Sequence, residues 1–337
     1  MSITINDIAK IANVSKGTVS RVINGAPGVG DKTRQRILKL IKELDYEPNA
    51  SAQGLATKRS YNIGVIIPHT SKFSMSSSYW PFLLTAINEQ AVDRGYNILL
   101  STAQSEDDVD SAYRLILKGR RVDGLIIGAE QFGEKQLAEL LLKDFPFVMI
   151  GNSSIISHYY VEVDNLGGAE QMTEYLINQG HKNIVFLAGP KVYPYVQERV
   201  KGFKQAMTKA GLAPDHVFHC EYDSLIAKDK SKEILQANPQ TTAFFAAAPG
   251  LVLGVLRAAY EMGYNIPDDL SLVSFDDHPF YGYLSPGITA VNQPIDELGK
   301  EAANQLFLLM DRKLPKEKGV IFPTKIIVRE SCKAPKN

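Results

Sequence analysis

The 337 residues include only two cysteines, Cys220 and Cys332, and one tryptophan, Trp80. Two cysteines far apart in the chain supply neither a disulfide framework nor a paired-thiolate metal site, which points to a reducing compartment. No apolar run reaches the roughly 18 residues that a membrane span needs. Asp7 and Lys10 interrupt the opening stretch where a secretory leader requires an unbroken apolar core, so a soluble cytoplasmic protein is expected. Catalytic signatures are scarce as well. The fragments GLIIG and DNLGG lack the phosphate-cradling spacings GxGxxG and GxxxxGK[ST], and there is no GxSxG nucleophile turn. His216, His219 and Cys220 cluster on paper, but on a strand the two histidines face opposite sides, so no metal is expected. No cofactor is expected either, and catalysis is the minor hypothesis.

Net charge is absent too, but only as a sum of unlike parts. Residues 1–60 carry ten Lys or Arg against five acids, leaving 27 basic and 32 acidic residues in the rest. A basic head on an acidic body is the footprint of a nucleic-acid contact confined to one end.

That head opens with Thr4 to Asn24, TINDIAKIANVSKGTVSRVIN, which reads as two short helices and a tight turn. Thr4 and Asp7 form a capping-box start, with Ile5, Ile8, Ala9 and Ala12 on one face. Asn13 ends that helix, Val14 tucks inward, and Ser15 can cap the next. Val19, Val22 and Ile23 make the buried stripe of the second helix, which leaves Lys16, Gly17, Ser20, Arg21 and Asn24 facing outward. After a glycine-rich loop, Asp31 to Leu44 reads as a third helix with Ile37, Leu40, Ile41 and Leu44 on one side. Tyr46, Pro48 and Asn49 break the pattern, and NASAQGLAT over 49–57 is too short for a stable isolated helix, so it reads as a linker.

From Tyr61 onward apolar strands alternate with amphipathic helices: NIGVIIP, a helix to Arg94, YNILLST, a helix over about 107–118, VDGLIIG, another helix, and FPFVMIG. A second series of like build starts near Asp164. Continuous apolar strands between helices argue for parallel sheets covered on both faces.

The TVSRVIN segment and its spacing resemble the helix-turn-helix of the lac repressor and galactose repressor family of bacterial transcription factors. Further markers are DNLGGAEQMTEYLINQGHKNIVFLAG at 164–189 and ERVKGF at 198–203. The resemblance covers essentially the whole chain. It implies an all-α helix-turn-helix headpiece over 1–47 and a hinge helix over 48–60 that orders on DNA. The α/β core over 61–337 would then be built like periplasmic binding proteins, as two Rossmann-like lobes. The first lobe would take about 61–162 and 293–322, the second about 163–292 and 323–337.

On the same resemblance the partners are double-stranded operator DNA, a second copy of the chain through the core and a small-molecule effector of the sugar class; an accessory phosphocarrier protein goes with the activator or corepressor-dependent alternative. Lys16, Gly17 and Arg21 fall where the family reads base edges, Arg21 being suited to guanine. Ser15, Thr18, Ser20, Asn24 and Thr33 would hold phosphates, Thr4 is a further DNA contact, and Asn49 and Ala52 lie in the hinge with Leu55 as a minor-groove wedge. Gly54 departs from the residue more usual in that hinge. The function implied is an effector-controlled repressor of carbohydrate-utilisation genes. The alternatives are an activator or corepressor-dependent regulator, a sugar-binding transport receptor, or a sugar-active enzyme.

Ligands of open parallel sheets sit beyond the carboxyl ends of strands. That rule places His69, Asn152, Tyr222, Asp276 and Asp277 at one crevice, together with Arg199. The resemblance singles out Arg199 and Asp276 as the pair gripping effector hydroxyls, with Gln293 at a crossover. Ala247, Ala248 and Pro249 stand where the family usually has Ala-Asn-Asp, and Ser274 where it has Gly. The loop after Pro68, HTSKFSMSSSYWPF, carries Phe73, Tyr79, Trp80 and Phe82 and can offer aromatic faces to sugar rings; packing under the lobe is the competing reading. With Tyr193 and Tyr195, it suggests a ligand larger than one hexose.

Overall fold

The computed structural model describes residues 3–23, 25–46, 59–67, 78–102, 119, 121–128, 134–151 and 158–336. Asn24, Asn49, Ala52, Leu55, His69, Asn152, most of the 48–60 hinge and the helix expected over 107–118 lie outside the described residues. The chain divides into two compact units, 1–61 and 62–337.

In the first unit, α1 (Ile5–Ile11), α2 (Lys16–Ile23) and α3 (Asp31–Glu43) enclose one small cluster. Ile8, Ala9, Ala12, Val19, Val22 and Ile37 are buried there, with Ile5, Val14, Ile23, Leu40, Ile41 and Leu44 packed around them. So few buried side chains make a marginal core. Asn13 ends the first helix in the left-handed region at φ 49°, a conformation that asparagine tolerates better than most residues.

The second unit contains two six-stranded sheets. The first is parallel throughout, in the order β11-β5-β4-β3-β1-β2. Its strands are β1 (Asn62–Ile67), β2 (Asn97–Thr102), β3 (Gly124–Gly128), β4 (Phe147–Ile150), β5 (Tyr160–Val163) and β11 (Gly319–Phe322). The second runs β12-β10-β9-β8-β6-β7. It takes β6 (Ile184–Ala188), β7 (Val217–His219), β8 (Ala243–Ala246), β9 (Ser271–Phe275), β10 (Thr289–Asn292) and β12 (Lys325–Ile327). Only β12 is antiparallel to its neighbour. β3, β4, β6, β8 and β9 are buried along their whole length, which is why they read as unbroken apolar runs rather than alternating ones.

Helices α4 (Tyr79–Val92), α5 (Glu134–Leu142) and α10 (Ile295–Met310) belong with the first sheet. α6 (Asn165–Asn178), α7 (Pro194–Lys209), α8 (Ser224–Ala237) and α9 (Pro249–Met262) belong with the second. The chain passes from one sheet system to the other between Val163 and Asn165, between Asn292 and Ile295, and between Phe322 and Lys325. α10 and α4 approach closely at Gly299, where a Cβ would stand 2.7 Å from the Ala86 methyl and 3.0 Å from the Leu83 carbonyl oxygen. Among the described residues no helix is long and apolar enough to cross a membrane.

One expectation needs correcting. Tyr79, Trp80 and Phe82 do not stand in a loop but in the first turn of α4. Trp80 is only 5% exposed and meets Tyr79 edge to face at 5.8 Å, so packing under the lobe leaves its indole little free face to offer a ligand.

Candidate functional site

The headpiece builds its outer face from its caps. The Thr4 backbone N–H donates to Asp7 Oδ2 at 3.0 Å and the Thr4 hydroxyl donates to the same oxygen at 2.6 Å. Those bonds, the hydroxyl's first, hold the Asp7 carboxyl below its ordinary range. At the start of α2 the Thr18 N–H donates to Ser15 Oγ at 3.1 Å, with the two hydroxyls 2.9 Å apart. Burying Val19 and Val22 turns Lys16, Gly17 and Arg21 out to solvent, with Ser20 half-buried beside them. Lys16 and Arg21 form no ion pair with a described residue. Gly17 has open space around it, the nearest atom to an added Cβ being Ser15 Oγ at 3.7 Å. Thr33 lies half-buried in the first turn of α3. Sequence reading missed one device: Arg34 Nη2 donates to the Ala26 carbonyl at 2.7 Å and so pins the glycine-rich loop to α3.

In the core the second lobe gathers Arg199, Asp276, Gln293 and Tyr195. Arg199 is 5% exposed. Its Nε donates to Asn165 Oδ1 and its Nη1 to the Ala247 carbonyl, both at 2.9 Å. The guanidinium carbon lies 3.6 Å from the Phe275 ring centroid and 5.1 Å from that of Tyr195. Nη2 faces Asp276 Oδ1 at 3.6 Å, and the Gln293 amide donates to that oxygen as well. Burial raises the Asp276 carboxyl above its ordinary range, against the pull of Arg199 and Gln293. Asn165 and Phe275 were not foreseen. Asn165 follows the helix cap Asp164, which accepts from Gly167 N at 2.7 Å, and short side chains at that point read as capping alone.

Asp276 sits at φ 71°, a left-handed conformation that costs a non-glycine residue about 1 kcal/mol or more and persists only where both flanks are fixed. On one side the Ser274 hydroxyl lies 3.3 Å from the Asp276 carbonyl and 3.0 Å from the Tyr281 hydroxyl. On the other, Arg329 clasps Asp277 through Nη1 at 2.8 Å and Nη2 at 3.0 Å. Asp277 is therefore corrected from a cleft residue to a structural one. His278 caps the 3-10 turn Pro279–Tyr283.

Alongside runs an aromatic stack. Tyr193 lies parallel to Tyr195 at 5.6 Å and to Tyr222 at 6.4 Å. Gly189 makes the room, since a Cβ there would stand 2.1 Å from the Tyr222 hydroxyl. Geometry thus joins Arg199, Asp276, Gln293, Tyr195 and Tyr222, and leaves Tyr79 and Trp80 on α4 of the other lobe. Among the described residues no group of three His, Cys, Asp or Glu side chains could hold a metal. Burial pushes the Cys220 thiol up to about 11, away from reactive thiolate chemistry.

Comparison with known proteins adds the following. Residues 4–49 match the family model of bacterial regulatory proteins, lacI family, and residues 173–332 match a periplasmic binding protein-like domain. Catabolite control protein A of Priestia megaterium is 33% identical over 339 residues, covering 99% of this chain and all of that protein. The lac repressor dimer bound to operator and an anti-inducer superposes with a TM-score of 0.88 at 25% identity, over 99% of this chain and 100% of that one. A complex of the transcriptional regulator CelR with cellobiose gives 0.76 at 28% identity, over 98% and 99%.

Proposed function

Because this chain belongs to the lacI family of bacterial regulatory proteins, we propose that it represses carbohydrate-utilisation genes as a homodimer, its operator affinity set by a sugar of at least two rings seated between the lobes. It is a DNA-binding regulator of transcription and not an enzyme. The observation that carries the effector reading is the Arg199–Asp276 pair beside the Tyr195–Tyr193–Tyr222 stack. A guanidinium and a carboxylate together recognise adjacent hydroxyls by donating to one and accepting from the next. Aromatic faces take the apolar faces of the rings. The lost amide at Ala248 thins the polar set, and the tyrosines offset it with stacking area. The CelR complex with a disaccharide supports a ligand of that size.

On the DNA side Arg21 reads a guanine and Lys16 a neighbouring base edge, while Ser15, Thr18, Ser20, Asn24 and Thr33 hold phosphates and Thr4 is a further contact. Asn49, Ala52 and Leu55 act in the hinge, with Leu55 as the wedge. Sugar binding changes how the two lobes meet, and the paired cores pass that change to the two hinges. Such a coupling is typically worth about 1–3 kcal/mol. An accessory phosphocarrier protein belongs to the activator or corepressor-dependent reading, and adding one to the same anisotropy assay tests it.

The test is a thermal-shift and operator-release screen with mono- and disaccharides, Asp276→Ala serving as control. A disaccharide should shift the melting of the unaltered protein and change operator anisotropy, with both effects lost in the variant. A sugar that shifts both proteins alike removes the cleft assignment.

A further inference from the structure

One of the two oxygens by which Asp276 can accept a sugar hydroxyl in this cleft is already in use. Oδ1 of Asp276 faces Arg199 and accepts from the side-chain amide of Gln293. Gln293 is buried, and its position in the chain is what makes that bond consequential. It follows β10, whose Val291 pairs with Phe275 of β9 in the second sheet. Pro294 then caps α10, which packs on β3, β4, β5 and α4 of the first lobe. Gln293 therefore lies on the middle of the three passages between lobes. One hydrogen bond ties that passage to the carboxylate proposed to receive the ligand.

An amide N–H and a sugar O–H are equivalent donors to a carboxylate oxygen. We infer that Gln293 is an internal stand-in for an effector hydroxyl on Asp276, and that its displacement on binding reports occupancy to α10 and the first lobe. Asp276 trades an amide donor for a ligand hydroxyl, and the buried amide so freed can donate to an oxygen of the same ligand, which keeps the number of hydrogen bonds unchanged. α10 transmits the change because its seat on α4 at Gly299 leaves no slack. The tie also competes with the ligand, so a site held closed nine-tenths of the time loses about tenfold in apparent affinity. This inference rests on the sugar reading above for the identity of the ligand, but not for the existence of the tie.

Gln293→Met, nearly isosteric but without a donor, separates the possibilities in full-length protein. Without ligand, the variant should show amide hydrogen exchange at least about threefold faster over 274–278 and 290–299, because the local opening that the bond opposes is released. With cellobiose as the probe, calorimetry should show about tenfold tighter binding, while operator anisotropy no longer responds to the sugar. Unchanged exchange overturns the inference. So does weaker cellobiose binding by the variant, which would make Gln293 an ordinary ligand contact. Should cellobiose bind neither protein, that choice of sugar fails, and the exchange experiment decides the tie alone.

Discussion

Arg199→Met tests the electrostatic frame of the cleft. The substitution keeps an unbranched apolar stem but removes a guanidinium that serves Asn165, the Ala247 carbonyl, Asp276 and the Phe275 face at once. Each hydrogen bond from a charged donor contributes about 1.5–3 kcal/mol. Removing one partner of a buried pair costs about 3–5 kcal/mol, because the other charge stays behind uncompensated. The Asp276 side chain is 19% exposed and keeps the Gln293 donor, so a loss at the lower end of that range, about 3 kcal/mol, follows, read as the urea transition by far-UV circular dichroism. Trp80 fluorescence is the wrong probe, since the only tryptophan lies in the other lobe.

The pH dependence adds a sign. Asp276 already sits above its ordinary value of 3.8 through burial, and a raised carboxyl binds its proton more readily folded than unfolded. Its contribution is therefore most favourable at low pH and is lost as pH rises from 3.8 through the folded value. Without Arg199 that folded value climbs further, so the deficit of the variant should shrink as pH falls. Adding Asp276→Asn to the variant should recover part of the loss, since no carboxylate is then stranded. A deficit that is small, or that does not shrink as pH falls, refutes the account of Arg199 as the counter-charge of a partly buried carboxylate.

Four further outcomes follow. Arg21→Ala should cost about 1–3 kcal/mol of operator affinity and relax preference at one base position in a binding-site selection, whereas equal loss on every sequence would make Arg21 a phosphate contact. Ser15→Ala should destabilise the headpiece by about 1 kcal/mol through the lost cap on Thr18 N, measured on its own melting step. His181 lies buried with Nδ1 2.9 Å from the Thr242 hydroxyl and Nε2 2.9 Å from the Lys333 carbonyl, and burial lowers its pKa below 6.5. The stability it contributes is whole above pH 6.5 and lost as pH falls toward the lowered value, and His181→Asn should flatten that slope in urea titrations. Gly299→Leu should cost about 1–3 kcal/mol or more by driving α10 off α4, seen in the melting of the core.

What could be read from the chain alone divides along physical lines. Helix caps and apolar periodicity are local, so Thr4, Ser15 and the Val19–Val22 stripe stood out, as did the runs that became β1, β2, β3 and β4. Arg199 and Asp276 were legible because strand ends and a family pattern both point to them. The bonds that hold them were not. Asn165, Phe275 and the Ala247 carbonyl reach Arg199 from separate elements, and no spacing encodes that meeting. Asp277 and Asp276 are alike in sequence, and only Arg329, 52 residues away from Asp277, makes one structural and frees the other. Trp80 misled because an aromatic at the mouth of a helix and one on an open loop look the same in one dimension.

Neither lobe is a continuous stretch of chain. β11 and α10 come back to the first sheet from beyond residue 290, and β12 with the Ser331 and Lys333 tethers completes the second. A ribosome therefore releases a contiguous head at residue 46 long before either lobe can close, because non-local pairings must await their late partners. During synthesis the three-helix head is complete while both sheets still lack their last strands.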